Sequence, residues 1–412
     1  MEFVETALEN GLEIVAECDS RAHSSAYGFF VRTGSRDESD DVAGVSHFLE
    51  HMVFKGTPTR SPDDVNREFD EMGAHYNAFT SEESTVYYAA VLPEFQDQVV
   101  GLLGDILRPS LRSEDFDTEK QVIIEEIRMY EDQPPYCADE RAKALHFGRH
   151  PLGRSVLGTV ESITALPVER MRDYFQRRYS PRNITLVAAG RVDFDALVAS
   201  ARRWCGEWPA QPASRDIAPA EACTAFECIR RPTSTQEYVV QLADAPAADD
   251  PLRFAAKLLT SVVGDDTGSR LYWELADPGL AEHVSLSHYE YQGAGLFMTY
   301  MSCEPTRAED NLQRIARVYH AVEADGVAER ELETAKRKVC ARVVLGSERP
   351  RGRLFSVGSN WIQRRTYRSV RDDVQSVQAV SVDEIRTVLA RYPLTRSASV
   401  VVGPLEHVQP PT

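Results

Sequence analysis

The chain has 412 residues, and at about 150 residues per domain that length accommodates two or three domains, each able to bury its own core. Hydrophobic residues make up 42% and charged residues 27%, too apolar for a disordered chain, while no run approaches the ~18 apolar residues of a membrane span. Against 46 basic residues stand 64 acidic ones, a net charge of −18 that repels phosphate backbones. Nucleic-acid binding and a membrane span are excluded on these grounds; a charged macromolecular substrate would be basic, or the acidity serves only solubility.

The opening residues, MEFVETALEN, carry acids and no basic n-region, so they read as the start of a folded domain and not as a signal peptide. Seven cysteines, odd in number and never spaced Cys-x-x-Cys, point to a reducing, cytoplasmic setting without a disulfide framework. The first informative stretch is Ala43–Thr57. Ser46 is placed to cap a helix whose apolar face is Leu49, Met52 and Val53. His47 and His51 lie four apart, one turn along the same side, which lets two imidazoles reach one Zn²⁺ at about 2.0–2.1 Å. Glu50 falls beside them, where a carboxylate can accept a proton from water that a metal has brought to a pKa of about 7. The order His-x-x-Glu-His is that of the inverzincins.

A two-histidine site needs a third ligand from elsewhere. The segment from Asp117 to Pro134 reads as a helix with its apolar face at Val122, Ile123 and Ile127. Glu119 and Glu126 are seven apart on one face, so Glu126 could bind the metal while Glu119 orients a ligand or aids proton transfer. Glu125 points about 100° away and reads as solvated. Further on, His146 and His150 repeat the four-residue spacing without a glutamate, with Gly148 between them and Pro151 after them, and read as an ordinary pair.

The rest of the chain argues for a duplication. A helical pattern from Val168 to Arg178, then Tyr179 and a β-rich run to Gly190, returns as Val382 to Arg391, Tyr392 and a run to Gly403. The strand from Val86 to Glu94 likewise returns as Leu296 to Pro305, each broken by an adjacent Pro and Glu. Between the copies, residues 209–222 are rich in Pro and Ala and read as a linker. The expected organisation is a zinc-binding catalytic domain at 1–208, that linker, and a homologous inactive domain at 223–412. The second copy shows Lys257-Leu-Leu-Thr-Ser261 where its own motif would fall, with no ligand. Strands interleaved with long helices suggest sheets covered by helices, hence an α/β or α+β domain repeated twice. The expected class is α+β with two homologous α/β domains, each a β-sheet backed by helices.

The stretches GVSHFLEHMVFKGT, GAHYNAFTSEESTVYYAAVLPE, EKQVIIEEIRMYEDQPP, PLGRSVLGT and YSPRNITLVAAGRV together resemble the pitrilysin-type (M16) zinc metallopeptidases. The chain is similar to their half-length kind, related to the beta subunit of the mitochondrial processing peptidase. The resemblance implies the LuxS/processing-peptidase-like metallohydrolase fold and Zn²⁺ as cofactor. It implies His47, His51 and Glu126 as metal ligands, Glu50 as general base and Glu119 as a supporting glutamate in catalysis. It makes Ala74, His75, Tyr76, Asn77, Ala78 and Phe79 an edge strand to which a peptide substrate adds by main-chain hydrogen bonds.

Two such chains would close a clam-like chamber of four domains, as a homodimer or with a homologous partner. Family members often carry an Arg and a Tyr after a Ser-Arg-Leu stretch that stabilise the oxyanion. Here Ser269-Arg270-Leu271 is present, but the Arg and Tyr positions fall on Ala276 and Glu282. The expected function is a zinc endopeptidase for peptides or unfolded segments, the metal-bearing subunit of a heterodimer. The alternative is a catalytically idle scaffold subunit resembling the core proteins of respiratory complexes.

Overall fold

In the computed structural model, which describes residues 1–411, the first-half apolar runs become β1 (Glu2–Ala7), β2 (Glu13–Cys18), β3 (Ser25–Val31), β4 (His75–Thr80), β5 (Thr85–Val91) and β6 (Ile184–Gly190). They form one sheet in the order β1-β2-β6-β3-β5-β4, with β2 and β6 parallel and every other pair antiparallel. Later residues give β7 (Phe226–Arg230), β8 (Glu237–Asp244), β9 (His283–Tyr291), β10 (Ala294–Cys303) and β11 (Ser397–Gly403). Their sheet runs β7-β11-β8-β10-β9, again with one parallel pair, β7 with β11, and antiparallel neighbours elsewhere. Strand for strand this is the order β2-β6-β3-β5-β4, so the duplication read from the turns is a duplication of sheet topology. The predicted helices Val168–Arg178 and Val382–Arg391 occupy corresponding places before β6 and β11.

The helices crossing over are the less expected feature. The helix Pro350–Arg364, late in the chain, lays Leu354, Val357 and Ile362 on Val15, Ala26, Phe30, Val86 and Val187 of the first sheet. Gly358 is required there, because a Cβ would come 2.3 Å from the Phe30 ring. The helix Pro134–Phe147, early in the chain, lays Ala138, Ala142 and Phe147 on Val240, Leu242, Leu296, Val400 and Val402 of the second sheet. Covered in this way, β8 buries Val239 among the helices of one face and Val240 under the donated helix of the other. That explains why apolar residues occur at both faces of β8, as in Val239-Val240 and Leu242-Ala243.

The compact units are therefore Met1–Arg128 with Arg154–Asp216 and Gly346–Arg368, and Met129–Gly153 with Ile217–Leu345 and the residues from Ser369 onward. They differ from the contiguous stretches 1–208 and 223–412 because each sheet needs a helix that the sequence places in the other half. The expected linker is also partly strapped down. Residues 209–222 hold no helix or strand, yet Ser180 bonds the Gln211 backbone and Arg215 is buried against Asp37 (2.9 Å) and Glu83. No helix among the described residues is long and apolar enough to cross a membrane. All seven cysteines are unpaired.

Glu237, on β8, is 0% exposed, and among the described residues its carboxylate oxygens have no hydrogen-bond partner of normal geometry. It fits only because Gly403 faces it; a Cβ there would sit 2.0 Å from the carboxylate. Burial pushes its pKa up to about 7, which the Leu405 amide offsets only in part. Between an unfolded value of about 4.3 and that folded value, the native state holds the proton that the unfolded chain has released. Stability from this group is thus complete at low pH and is lost as pH rises through about 7. Glu237→Gln should match the wild type near pH 4 and exceed it by about 3–4 kcal/mol at pH 8, measured by urea unfolding. Equal stability at both pH values would show that the buried group is not the one titrating.

Candidate metal centre

The helix Val45–Val53 carries the two histidines, and its entry is fixed by Gly44 at φ 89°, a left-handed conformation. A Cβ at Gly44 would also strike the Leu157 carbonyl at 2.5 Å. The cap differs from the one read from sequence. Ser46 lies inside the helix, where its hydroxyl meets Tyr174 (2.8 Å), and the buried Glu38 carboxylate accepts the amides of Gly44 and Ser46 at 2.7 Å each. A carboxylate at the positive end of the helix serves the orphan N–H groups better than a hydroxyl. Leu49, Met52 and Val53 are buried, as their spacing predicts.

The helix Ser113–Glu131 brings the acids. Phe116 stacks on Phe48 with ring centroids 4.7 Å apart, fixing one helix against the other. Its buried side is Phe116, Ile123, Ile124 and Ile127; Val122, expected on that face, is 47% exposed. Glu125 is exposed and pairs with Arg128 at 2.6 Å.

His47, His51 and Glu126 converge, with one ligand atom from each lying within 4.8 Å of the others. Glu126 Oε2 is 3.5 Å from His51 Nε2 and 3.9 Å from His47 Nε2. His51 Nδ1 bonds Glu119 Oε1 at 2.8 Å, which leaves Nε2 as the lone-pair nitrogen facing Glu126. Burial, then the neighbouring His51, drives the His47 pKa down to about 3, so the imidazole is neutral. Burial would depress His51 as well, but the Glu119 hydrogen bond and the charges of Glu126, Glu119 and Glu50 outweigh it and raise its pKa. For Glu126, burial and the nearby Glu119 raise the pKa against the pull of His51. These carboxylates crowd a spot where a cation is wanted. Two imidazoles and one carboxylate form a donor set that suits Zn²⁺.

Sequence spacing did not reveal two further contacts. Lys55 Nζ lies 2.6 Å from Glu119 Oε2, so Glu119 is braced between a cation and His51, and those two bonds lower its pKa against the effect of burial. Lys55 is one more turn beyond His51, so the series 47, 51, 55 was available as a signal. Thr80 donates to Glu50 Oε2 at 2.6 Å, while burial raises the Glu50 pKa. Nothing local in the sequence joins positions 50 and 80.

The strand β4 is an outer strand, paired only with β5 from His75↔Ala90 to Thr80↔Thr85, so its other edge makes no sheet bonds. Tyr76, Ala78 and Thr80 alternate with the exposed His75, Asn77 and Phe79. Ala74 precedes the strand, its amide bonded to the Phe69 carbonyl at 3.0 Å. In the second unit, the helix Arg253–Gly264 carries Lys257 and Ser261, and Asp265 is tied to Lys338 (3.3 Å) and Arg342 (2.5 Å). Those basic groups make a salt-bridge corner and not a metal site.

Residues 13–160 match the family described as insulinase (peptidase family M16), and residues 165–339 match the peptidase M16 inactive domain. The chain belongs to the M16 peptidase family. A protein of Mycobacterium tuberculosis called an uncharacterized zinc protease is 33% identical over 406 residues, covering 97% of this chain and 92% of that one. Another so described, from Bacillus subtilis, is 28% identical over 396 residues, covering 96% of each. Among solved structures, a protease from Helicobacter pylori superimposes with a TM-score of 0.91 at 19% identity, covering 97% of this chain and 99% of the other, a likeness of fold. Zinc is the cofactor of M16 peptidases, and the donor set described above fits it.

Proposed function

We propose that this M16 chain is a zinc-dependent endopeptidase in which His47, His51 and Glu126 hold the metal and Glu50 is the general base. The convergence of those three ligands with Glu50 one residue from His51 is the observation that carries the reading. When bound, zinc supplies a Lewis acid for the scissile carbonyl and lowers the pKa of water. Glu50 takes the proton of the attacking water and returns it to the leaving amine. Glu119 keeps the Nδ1 proton of His51 in place, and Lys55 keeps Glu119 in place. The unpaired edge of β4, including Asn77, Ala78 and Phe79, receives the peptide as an added strand. An idle scaffold would have no use for a desolvated base next to a complete ligand set.

The oxyanion donors support a partner chain. Ala276 and Glu282 cannot donate, and Glu282 is engaged by Gln236. Arg270 is committed to Glu331 by two bonds of 2.8 Å and Tyr291 is buried, which leaves Tyr289, 42% exposed, as the donor that a homodimer would have to use instead. A homologous subunit that brings the missing donors would complete the site inside a dimer chamber, with this chain supplying the zinc. Purified protein should carry about one Zn²⁺, lost in a His47→Ala, His51→Ala double variant that still folds. Adding a related chain from the same genome, one lacking His-x-x-Glu-His, should raise peptide cleavage about 10²-fold. Full zinc in the double variant would end the ligand assignment, and strong cleavage unchanged by the partner would end the heterodimer.

A further inference from the structure

The Glu50 carboxylate is gripped by the last residue of the strand proposed to hold the substrate. Thr80 Oγ1 lies 2.6 Å from Glu50 Oε2, whereas its next acceptor, Thr85 Oγ1, is 3.5 Å away. The single hydroxyl hydrogen therefore goes to the carboxylate. Thr85 spends its own hydrogen on the Thr33 carbonyl at 2.9 Å, so it does not compete for Glu50. The buried phenols of Tyr87 and Tyr179, bonded to each other at 2.8 Å, lie close enough to feel the Glu50 charge. The β-branched Thr80 side chain is stiff at χ1, and its backbone is paired with Thr85 on β5.

We infer that Thr80 is a positioning residue for the general base. By occupying Oε2 it leaves Oε1 to receive the proton, and it ties the orientation of Glu50 to β4 itself. A peptide added to β4 is then in register with the base, because one strand sets both. This inference rests on the peptidase reading above. A carboxylate freed from Thr80 could still bind a proton but would spend less time in the productive orientation, so turnover should fall without loss of peptide affinity.

The test compares Thr80→Val, which keeps the branched shape and removes the hydroxyl, with Thr80→Ser, which keeps the hydroxyl. Thr80→Val should hold full zinc and a KM within about twofold of wild type while kcat drops about tenfold, and Thr80→Ser should restore most of it. Binding of a phosphinic peptide, read by calorimetry, gives a measure independent of turnover. Thr80→Val should weaken it about tenfold in the wild-type background and less than about twofold when Glu50 is already Gln. An unchanged kcat in Thr80→Val, or equal losses of phosphinic-peptide binding in both backgrounds, would overturn the role of Thr80 alone. A wild-type protein with neither zinc nor cleavage would overturn the peptidase reading and this inference with it.

Discussion

Glu50→Gln should leave zinc and peptide binding in place while lowering turnover by about 10²–10⁴-fold, the usual contribution of a general base. The amide has the shape of the carboxylate, and its oxygen can still accept the Thr80 hydrogen bond, so the local packing is preserved. What it cannot do is take a proton. Burial raises the pKa of Glu50, which makes it a stronger base than a surface glutamate, while Thr80 and His51 pull the other way. Metal analysis beside steady-state kinetics separates base from ligand: Glu126→Gln should lose zinc, and Glu50→Gln should not. If Glu50→Gln released the metal instead, the roles of Glu50 and Glu126 would be exchanged. Glu119→Gln should fall between them, weakening metal affinity or activity about 10–100-fold by loosening His51.

The site was legible in the sequence because its parts are local. Two histidines one turn apart and two glutamates two turns apart each need only a helix to align them, and helical periodicity shows in a short window. Depth was harder to read. Val122 fits the apolar stripe by type, yet it is 47% exposed one turn before Glu126, since the angular width of a buried face depends on the packing partner. The capping of the motif helix by Glu38 was hidden for a similar reason, because the acid comes from a preceding turn and only the fold brings it to the amides of Gly44 and Ser46. The repeat in topology could be read from matching helix–turn–strand endings. The crossing helices could not, because no periodicity says which of two homologous sheets an amphipathic helix will cover. Their apolar faces, Leu354 and Val357 in one and Ala138 and Ala142 in the other, would suit either.

A charge decides the matter for one of those helices, and removing it should be costly. Arg353 is 3% exposed and holds Glu17 of β2, itself 2% exposed, through Nε at 2.7 Å and a second nitrogen at 2.5 Å. Tyr367 adds a bond to the same carboxylate at 2.7 Å, and Arg353 also reaches the Arg368 carbonyl at 3.0 Å. The pair fixes which sheet receives the helix Pro350–Arg364, because a lone buried carboxylate on β2 would otherwise oppose the apolar cover. Arg353→Met should therefore destabilise the first unit by about 3–5 kcal/mol, as expected when one partner of a buried ion pair is removed. The loss belongs to the stranded Glu17 and not to the missing attraction. A Glu17→Gln, Arg353→Met double variant should therefore recover at least half of it, since a neutral amide is far less expensive to bury. Urea unfolding of the wild type, both single variants and the double variant measures the coupling directly. Additive losses in the double variant would mean that the ion pair does not hold the donated helix, leaving Leu354, Val357 and Ile362 to do so by packing alone.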